Sequence, residues 1–178
     1  ALAAANEAIS AKVEANPNLE GMGATFIGVA FDRQGGAEWI SVGDSPLYLF
    51  RRGEMVRLNE DHSLAPLLDQ LVADGKMDAE DARADPRRHY LRSAVTGDEI
   101  ELVDASDAPL KLEPQDIVLL ASDGLLSLEE EEIRRVIAAY RADGVQAVAD
   151  GLVRAVDQAG IAHQDNTTVV VVEAFGGS

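Results

Sequence analysis

Between residues 24 and 58 four strand-like runs are separated by turns too short for anything but antiparallel pairing. The runs are Thr25–Phe31, Glu38–Val42, Leu47–Arg51 and Glu54–Leu58, and the turns are Gln34-Gly35-Gly36, Gly43-Asp44-Ser45-Pro46 and Arg52-Gly53. Parallel neighbours need a crossover of a dozen or more residues, so this spacing forces antiparallel strands. Helical periodicity surrounds them. Leu2, Ala5, Ile9 and Val13 share one face of a helix over 2–14, which Asn16-Pro17-Asn18 stops. Leu64, Leu67, Leu68 and Leu71 mark a second helix from Ser63 to near Gly75, and Asp78 caps a short third one through Arg83. Ser127 and Glu130 have the spacing of a capping box for a helix over 128–141, and Val145, Val148, Leu152, Val153 and Val156 stripe another over 144–159. A weak strand is expected near 100–104, a strand covered on both faces at Ile117–Ala121, and a β-branched one at Thr167–Val172. Antiparallel strands with helices segregated around them predict an α+β fold, built in layers.

The chain has 178 residues, the size of one domain with a substantial core, and 47% of them are apolar. Its 15 basic against 32 acidic residues give a formal charge of −17. Such a surface repels phosphate backbones and anionic lipids, and Arg51-Arg52 and Arg87-Arg88 are isolated pairs rather than a basic patch, so no nucleic-acid partner is expected. Cysteine is absent, which excludes disulfides, thiolate metal sites and a cysteine nucleophile and fits a reducing, cytoplasmic setting. Glu7, Lys12 and Glu14 interrupt the opening alanines too early for a signal peptide, and no run of apolar residues is long enough for a membrane span. The chain opens inside a helical pattern without a methionine, which is the pattern of a piece of a larger domain.

Three acidic turns sit at strand ends: Gly43-Asp44-Ser45, Ser122-Asp123-Gly124 and Asp165-Asn166. Taken singly, each is an ordinary turn whose side chain bonds its own backbone. Taken together, they are a means of gathering carboxylates from distant positions, and hard divalent cations such as Mg²⁺ and Mn²⁺ require oxygen ligands of this kind. Metal-assisted hydrolysis of a phosphate ester is the chemistry this favours. Gly124 lets the backbone turn sharply or approach a ligand closely. The acidic run Glu129–Glu132 reads as a solvated helix start. His62 reads as a structural hydrogen-bonding residue at a helix start, His89 and His163 as solvent-facing polar residues, and Trp39 and the four phenylalanines as core or half-buried strand residues.

In order along the chain stand Asn6-Glu7-Ala8, Asn16-Pro17, Gly21-Met22-Gly23-Ala24-Thr25, Gly43-Asp44-Ser45, Asp61-His62-Ser63, Ser122-Asp123-Gly124-Leu125 and Asp165-Asn166-Thr167-Thr168. On these the sequence resembles the PP2C (PPM) family of metal-dependent protein serine/threonine phosphatases, from about residue 4 to residue 173. The resemblance implies a β-sandwich of two antiparallel sheets flanked by helices, with a centre of two or more Mg²⁺ or Mn²⁺ ions. It implies that Asp123 and Asp165 hold one metal and that Asp44 lies near a further, weaker site. Ser45, Gly124, Asn166 and His62 would support the substrate or the structure, and residues 65–92 would form the variable flap. No catalytic side chain is implied, because a metal-activated water attacks phosphorus; a phosphoprotein would be the substrate, within a serine/threonine kinase signalling pathway.

The match has gaps. The family's first segment, with its Arg…Asn-Glu-Asp stretch and Asp-Gly-Met-Gly-Gly turn, has no counterpart in residues 1–178, and it supplies the aspartate that bridges both metals. Pro46 stands where arginine is usual, His89 replaces a common asparagine, and Arg92-Ser93 a common Thr-Arg. The expectation is therefore a single, N-terminally incomplete phosphatase domain over 1–178 that is itself inactive. The alternative is a non-catalytic phosphatase-like domain that binds a phosphoprotein or regulates a kinase.

Overall fold

A computed structural model describes residues 1–161 and 164–175. In chain order the elements are α1 (Leu2–Ala15), β1 (Phe26–Phe31), β2 (Gly36–Val42), β3 (Leu47–Arg51), β4 (Glu54–Arg57), α2 (Ala65–Ala73), α3 (Ala79–Ala84), β5 (Asp104–Ala105), β6 (Leu110–Lys111), β7 (Ile117–Ala121), α4 (Glu130–Tyr140), α5 (Val145–Ala159) and β8 (Val169–Glu173). One sheet has the order β1-β2-β5, with β6 also paired to β2; the other has the order β4-β3-β7-β8. The registered pairs are antiparallel, as the short turns require. The α+β class read from the sequence is the class observed.

The chain divides into two compact units. The first comprises Ala1–Gly28, Ile40–Asp44 and Glu60–Ala105. In it, α1 offers the expected stripe of Leu2, Ala5, Ile9 and Val13 as a half-buried face, with no residue fully buried. Asn6 ties that helix to a distant loop: its amide donates to the Asp98 carbonyl at 2.7 Å and its side-chain oxygen accepts from Gly97 N–H at 2.9 Å. Asp78 caps α3 as predicted, accepting from Glu80 N–H. Residues 65–92 hold α2 and α3, and Arg88 forks onto Asp69 at 2.8 and 2.9 Å.

The second unit comprises Val29–Trp39, Ser45–Asn59 and Ser106–Ser178. Its core joins Tyr48 and Phe50 of β3 and Ile117, Leu119 and Ala121 of β7 to Leu125, Leu128 and the inner faces of α4 and α5. Burying side chains of this size is worth about 1.5–3 kcal/mol each, which holds the strand ends in place. At the opposite end of β7, Asp116 is 2% exposed and receives a forked bond from Arg51 at 2.6–3.0 Å. The Arg51 guanidinium is raised above its usual range, chiefly by that bond.

Four readings are corrected. Ser127 caps nothing: Asp123–Ser127 forms a 3-10 turn, and the Ser127 hydroxyl donates back to the Gly124 carbonyl at 2.8 Å, leaving Glu129 as an N-cap without a side-chain bond. The last strand starts at Val169 rather than Thr167, since side-chain bonds from Ser122 take up the residues before it. The weak strand near 100–104 is two residues long, and its companion β6 carries no periodicity to announce it. Phe31 and Phe175 are exposed at 44% and 84%, whereas Phe50 is core. His163 lies outside the described residues.

Candidate metal centre

Strand β7 runs into the turn Ser122-Asp123-Gly124-Leu125. Leu125 is fully buried in the core, so the turn is anchored immediately after the aspartate while Asp123 itself is exposed. The segment before β8 lies directly against this turn. Ser122 registers the two: its N–H donates to the Thr168 carbonyl at 3.0 Å, its hydroxyl donates to the Asn166 carbonyl at 3.1 Å, and the same oxygen accepts from Thr168 N–H at 3.0 Å. Gln164 adds a link on the other flank, donating to the carbonyls of Gly124 at 3.1 Å and Asp165 at 3.0 Å.

Gly124 makes the approach sterically feasible. A β-carbon there would stand 2.5 Å from Thr167 Oγ1, 2.7 Å from the Asn166 carbonyl oxygen and 3.0 Å from that of Asp165. The glycine is thus required for space, where the sequence suggested turn or ligand approach. The fold brings the Asp123 and Asp165 turns into contact, although they are far apart in the chain. Asp165 and Asn166 are both exposed, and one Asp165 oxygen accepts from Asn166 N–H at 2.8 Å.

Asp44 belongs to the first unit and has a different setting. It is 6% exposed, at the end of β2. His62, 2% exposed, braces its turn reciprocally: Gly43 N–H donates to His62 Nδ1 at 3.2 Å, and His62 N–H donates to the Gly43 carbonyl at 3.2 Å. Burial holds the His62 imidazole below the usual histidine pKa; Glu60, Asp104 and Asp61 oppose that shift and Arg92 adds to it. Because Nδ1 accepts the Gly43 N–H, the ring's proton is assigned to Nε2. Gly43 has φ +102, and a β-carbon would meet Thr25 Cγ2 at 2.5 Å. In the second unit, Asn59 fixes the following residues, donating to the Ser45 carbonyl at 2.9 Å and accepting from Leu47 N–H at 2.8 Å.

The donors on the 123 and 165 turns are all oxygen, which suits a hard cation and not a soft one. Among the described residues no three His, Asp or Glu side chains gather to hold a metal ion; the Asp123 and Asp165 turns offer two exposed carboxylates side by side. Sequence reasoning passed over Gln164 and the Ser122 hydroxyl; the Ser-Asp-Gly motif pointed at Ser122, but nothing in the sequence shows where Gln164 turns.

With this geometry in place, similarity to known proteins is decisive. No protein-family model matches the chain. The serine/threonine protein phosphatase PstP of Mycobacterium tuberculosis is 33% identical over 175 residues, 97% of this chain and 32% of the relative. A crystal structure of that enzyme superposes with a TM-score of 0.77 at 32% identity, covering 96% of this chain and 68% of the solved one. The PPM serine/threonine phosphatase MsPP of Mycobacterium smegmatis, solved with cacodylate, gives 0.68 at 31% identity over 98% and 81% of the two chains. The chain belongs to the PPM family of serine/threonine phosphatases. The PstP catalytic domain has also been solved with two manganese ions, at a TM-score of 0.73, 31% identity and coverage of 96% and 67%. The PPM chain described here spans about a third of the length of the curated mycobacterial relative.

Proposed function

We propose that this chain supplies part of the metal centre of a protein serine/threonine phosphatase, with Asp123 and Asp165 as ligands to Mg²⁺ or Mn²⁺ and Asp44 beside a further, weaker site. The observation that carries this is the seating of the Asp165 segment on the Ser122-Asp123-Gly124 turn, which leaves two exposed carboxylates on adjoining turns. When bound, a pair of such ions supplies a water of lowered pKa and neutralises the phosphoryl oxygens. The chain's own part is to present carboxylates on a backbone fixed by Leu125, Ser122 and Gln164, so little is left to order when a ligand arrives. The substrate class is phosphoserine or phosphothreonine in a protein opposing a kinase in the cytoplasm, and the flap of residues 65–92 takes part in choosing it. Among the described residues no helix is long and apolar enough to cross a membrane.

Residues 1–178 on their own are proposed to be silent, since the family's bridging aspartate has no counterpart among them. A second reading, a phosphatase-like domain that binds phosphoprotein without turnover, is favoured by the lack of a three-ligand cluster among the described residues. The test is phosphate release from a phosphothreonine peptide by residues 1–178 in Mn²⁺, alone and joined to the first segment of a PPM relative. Activity that appears only in the joined chain, and is lost on Asp123→Asn, supports the phosphatase reading. A joined chain that binds Mn²⁺ and phosphopeptide without releasing phosphate supports the second.

A further inference from the structure

The two aspartate turns are covalently independent, so something must set the spacing of their carboxylates before any cation arrives. Backbone pairing between β7 and β8 fixes the strands, but the register ends at Ala121 and Val169, short of both aspartates. Ser122 continues it to Asn166 and Thr168, still short of Asp165.

We propose that Gln164 is the positioning residue of this centre: its carboxamide straps the Asp165 turn to the Asp123 turn and so sets the distance between the two carboxylates. The inference rests on the reading of Asp123 and Asp165 as cation ligands. A primary amide nitrogen has two hydrogens. Gln164 has one for the carbonyl of Gly124, the residue after Asp123, and one for the carbonyl of Asp165 itself. Of the described side chains, it bonds both. Its orientation is unambiguous, because exchanging the amide oxygen and nitrogen would aim an oxygen at two carbonyl oxygens. Gln164 Oε1 is shut away from solvent and meets no donor among the described residues. Leaving such an acceptor unsatisfied is costly, so the side chain is held in this pose by its two donated bonds and not by its acceptor. Gly124 completes the arrangement, since any side chain there would drive the straps apart.

A residue that orients ligands typically changes metal affinity by about 10–100-fold when removed. The experiment titrates Mn²⁺ into residues 1–178 and into Gln164→Ala and Gln164→Glu, following loss of the free-Mn²⁺ EPR signal, with amide hydrogen exchange of residues 123–128 and 165–168 measured in EDTA. Gln164→Glu is the discriminating variant. It keeps the length and adds negative charge, which by Coulomb attraction alone tightens cation binding. A carboxylate has no hydrogen to give two carbonyls, so the strap predicts weaker binding. The expected result is about a tenfold loss of affinity in both variants, with faster exchange in both turns already in the metal-free state. Gln164→Glu binding Mn²⁺ as tightly as the parent, Gln164→Ala leaving affinity unchanged, or exchange unaltered in EDTA would each overturn the strap. If the parent binds no Mn²⁺ while exchange still quickens in Gln164→Ala, the metal reading fails and the positioning role falls with it, leaving only a local structural bond.

Discussion

Asp44 and Asp123 occupy similar local sequence, each at the end of a strand and beside a glycine, yet the chain encloses one and exposes the other. Around Asp44 the neighbours are a buried imidazole, a glycine with positive φ and a threonine pressed against it, and the carboxylate is 6% exposed. Around Asp123 the partners are a hydroxyl, a carboxamide and backbone carbonyls from another turn, and the carboxylate is exposed. The first turn is built into the folding core of its unit, so damage there should appear as lost stability. The second is held by polar bonds at the surface of its unit, so damage there should appear mainly as lost ligand binding.

Substitutions of the two glycines separate these costs most sharply. Gly43→Ala combines an unfavourable φ with a clash against Thr25 and should cost about 4 kcal/mol, read as a shift in the urea unfolding midpoint. His62→Ala removes the acceptor for Gly43 N–H and opens a hole in a buried site, for about 3 kcal/mol by the same assay. Gly124→Ala meets Thr167 Oγ1 and the Asn166 and Asp165 carbonyl oxygens, but without the added strain of a positive φ, and should cost less, about 2 kcal/mol, while Mn²⁺ binding is lost. Should Gly124→Ala prove the more damaging to stability, the division between core turn and binding turn is wrong.

The braced histidine also gives its unit a pH signature. Burial lowers the folded His62 pKa, so the unfolded chain takes up the proton more readily and stability rises with pH. The contribution is complete above the ordinary value of about 6.5 and is lost as pH falls from there through the depressed folded value. His62→Asn should flatten that part of the stability profile; an unchanged slope would show that other groups carry it. Smallest of all, Ser122→Ala removes one hydroxyl at the open turn and should cost about 1 kcal/mol.

Strand and helix positions followed from apolar periodicity, which burial enforces: Leu47–Arg51, Ile117–Ala121 and the stripes of α1 and α5 are where they were expected. The Asp123 and Asp165 turns were legible as short acidic motifs at strand ends, and the fold sets the two turns against each other. What could not be read were contacts made by polar side chains across loops. Ser127 has the spacing of a cap but bonds backward to Gly124, and Gln164 could face either way until the 124 turn stands beside it. The two-residue strands β5 and β6 form by pairing with β2; β5 showed only as a weak signal near 100–104, and no local signal marks β6.

On the proposed reading the adjoining Asp123 and Asp165 turns, and not the enclosed Asp44 turn, hold the tighter cation. Mn²⁺ titration of residues 1–178 followed by EPR, with Asp123→Asn, Asp165→Asn and Asp44→Asn measured side by side, tests it directly. The account predicts that the first two abolish the tighter binding while Asp44→Asn keeps most of it and loses only the weaker phase. Undiminished Mn²⁺ affinity in Asp123→Asn or Asp165→Asn, or its collapse in Asp44→Asn alone, would contradict it.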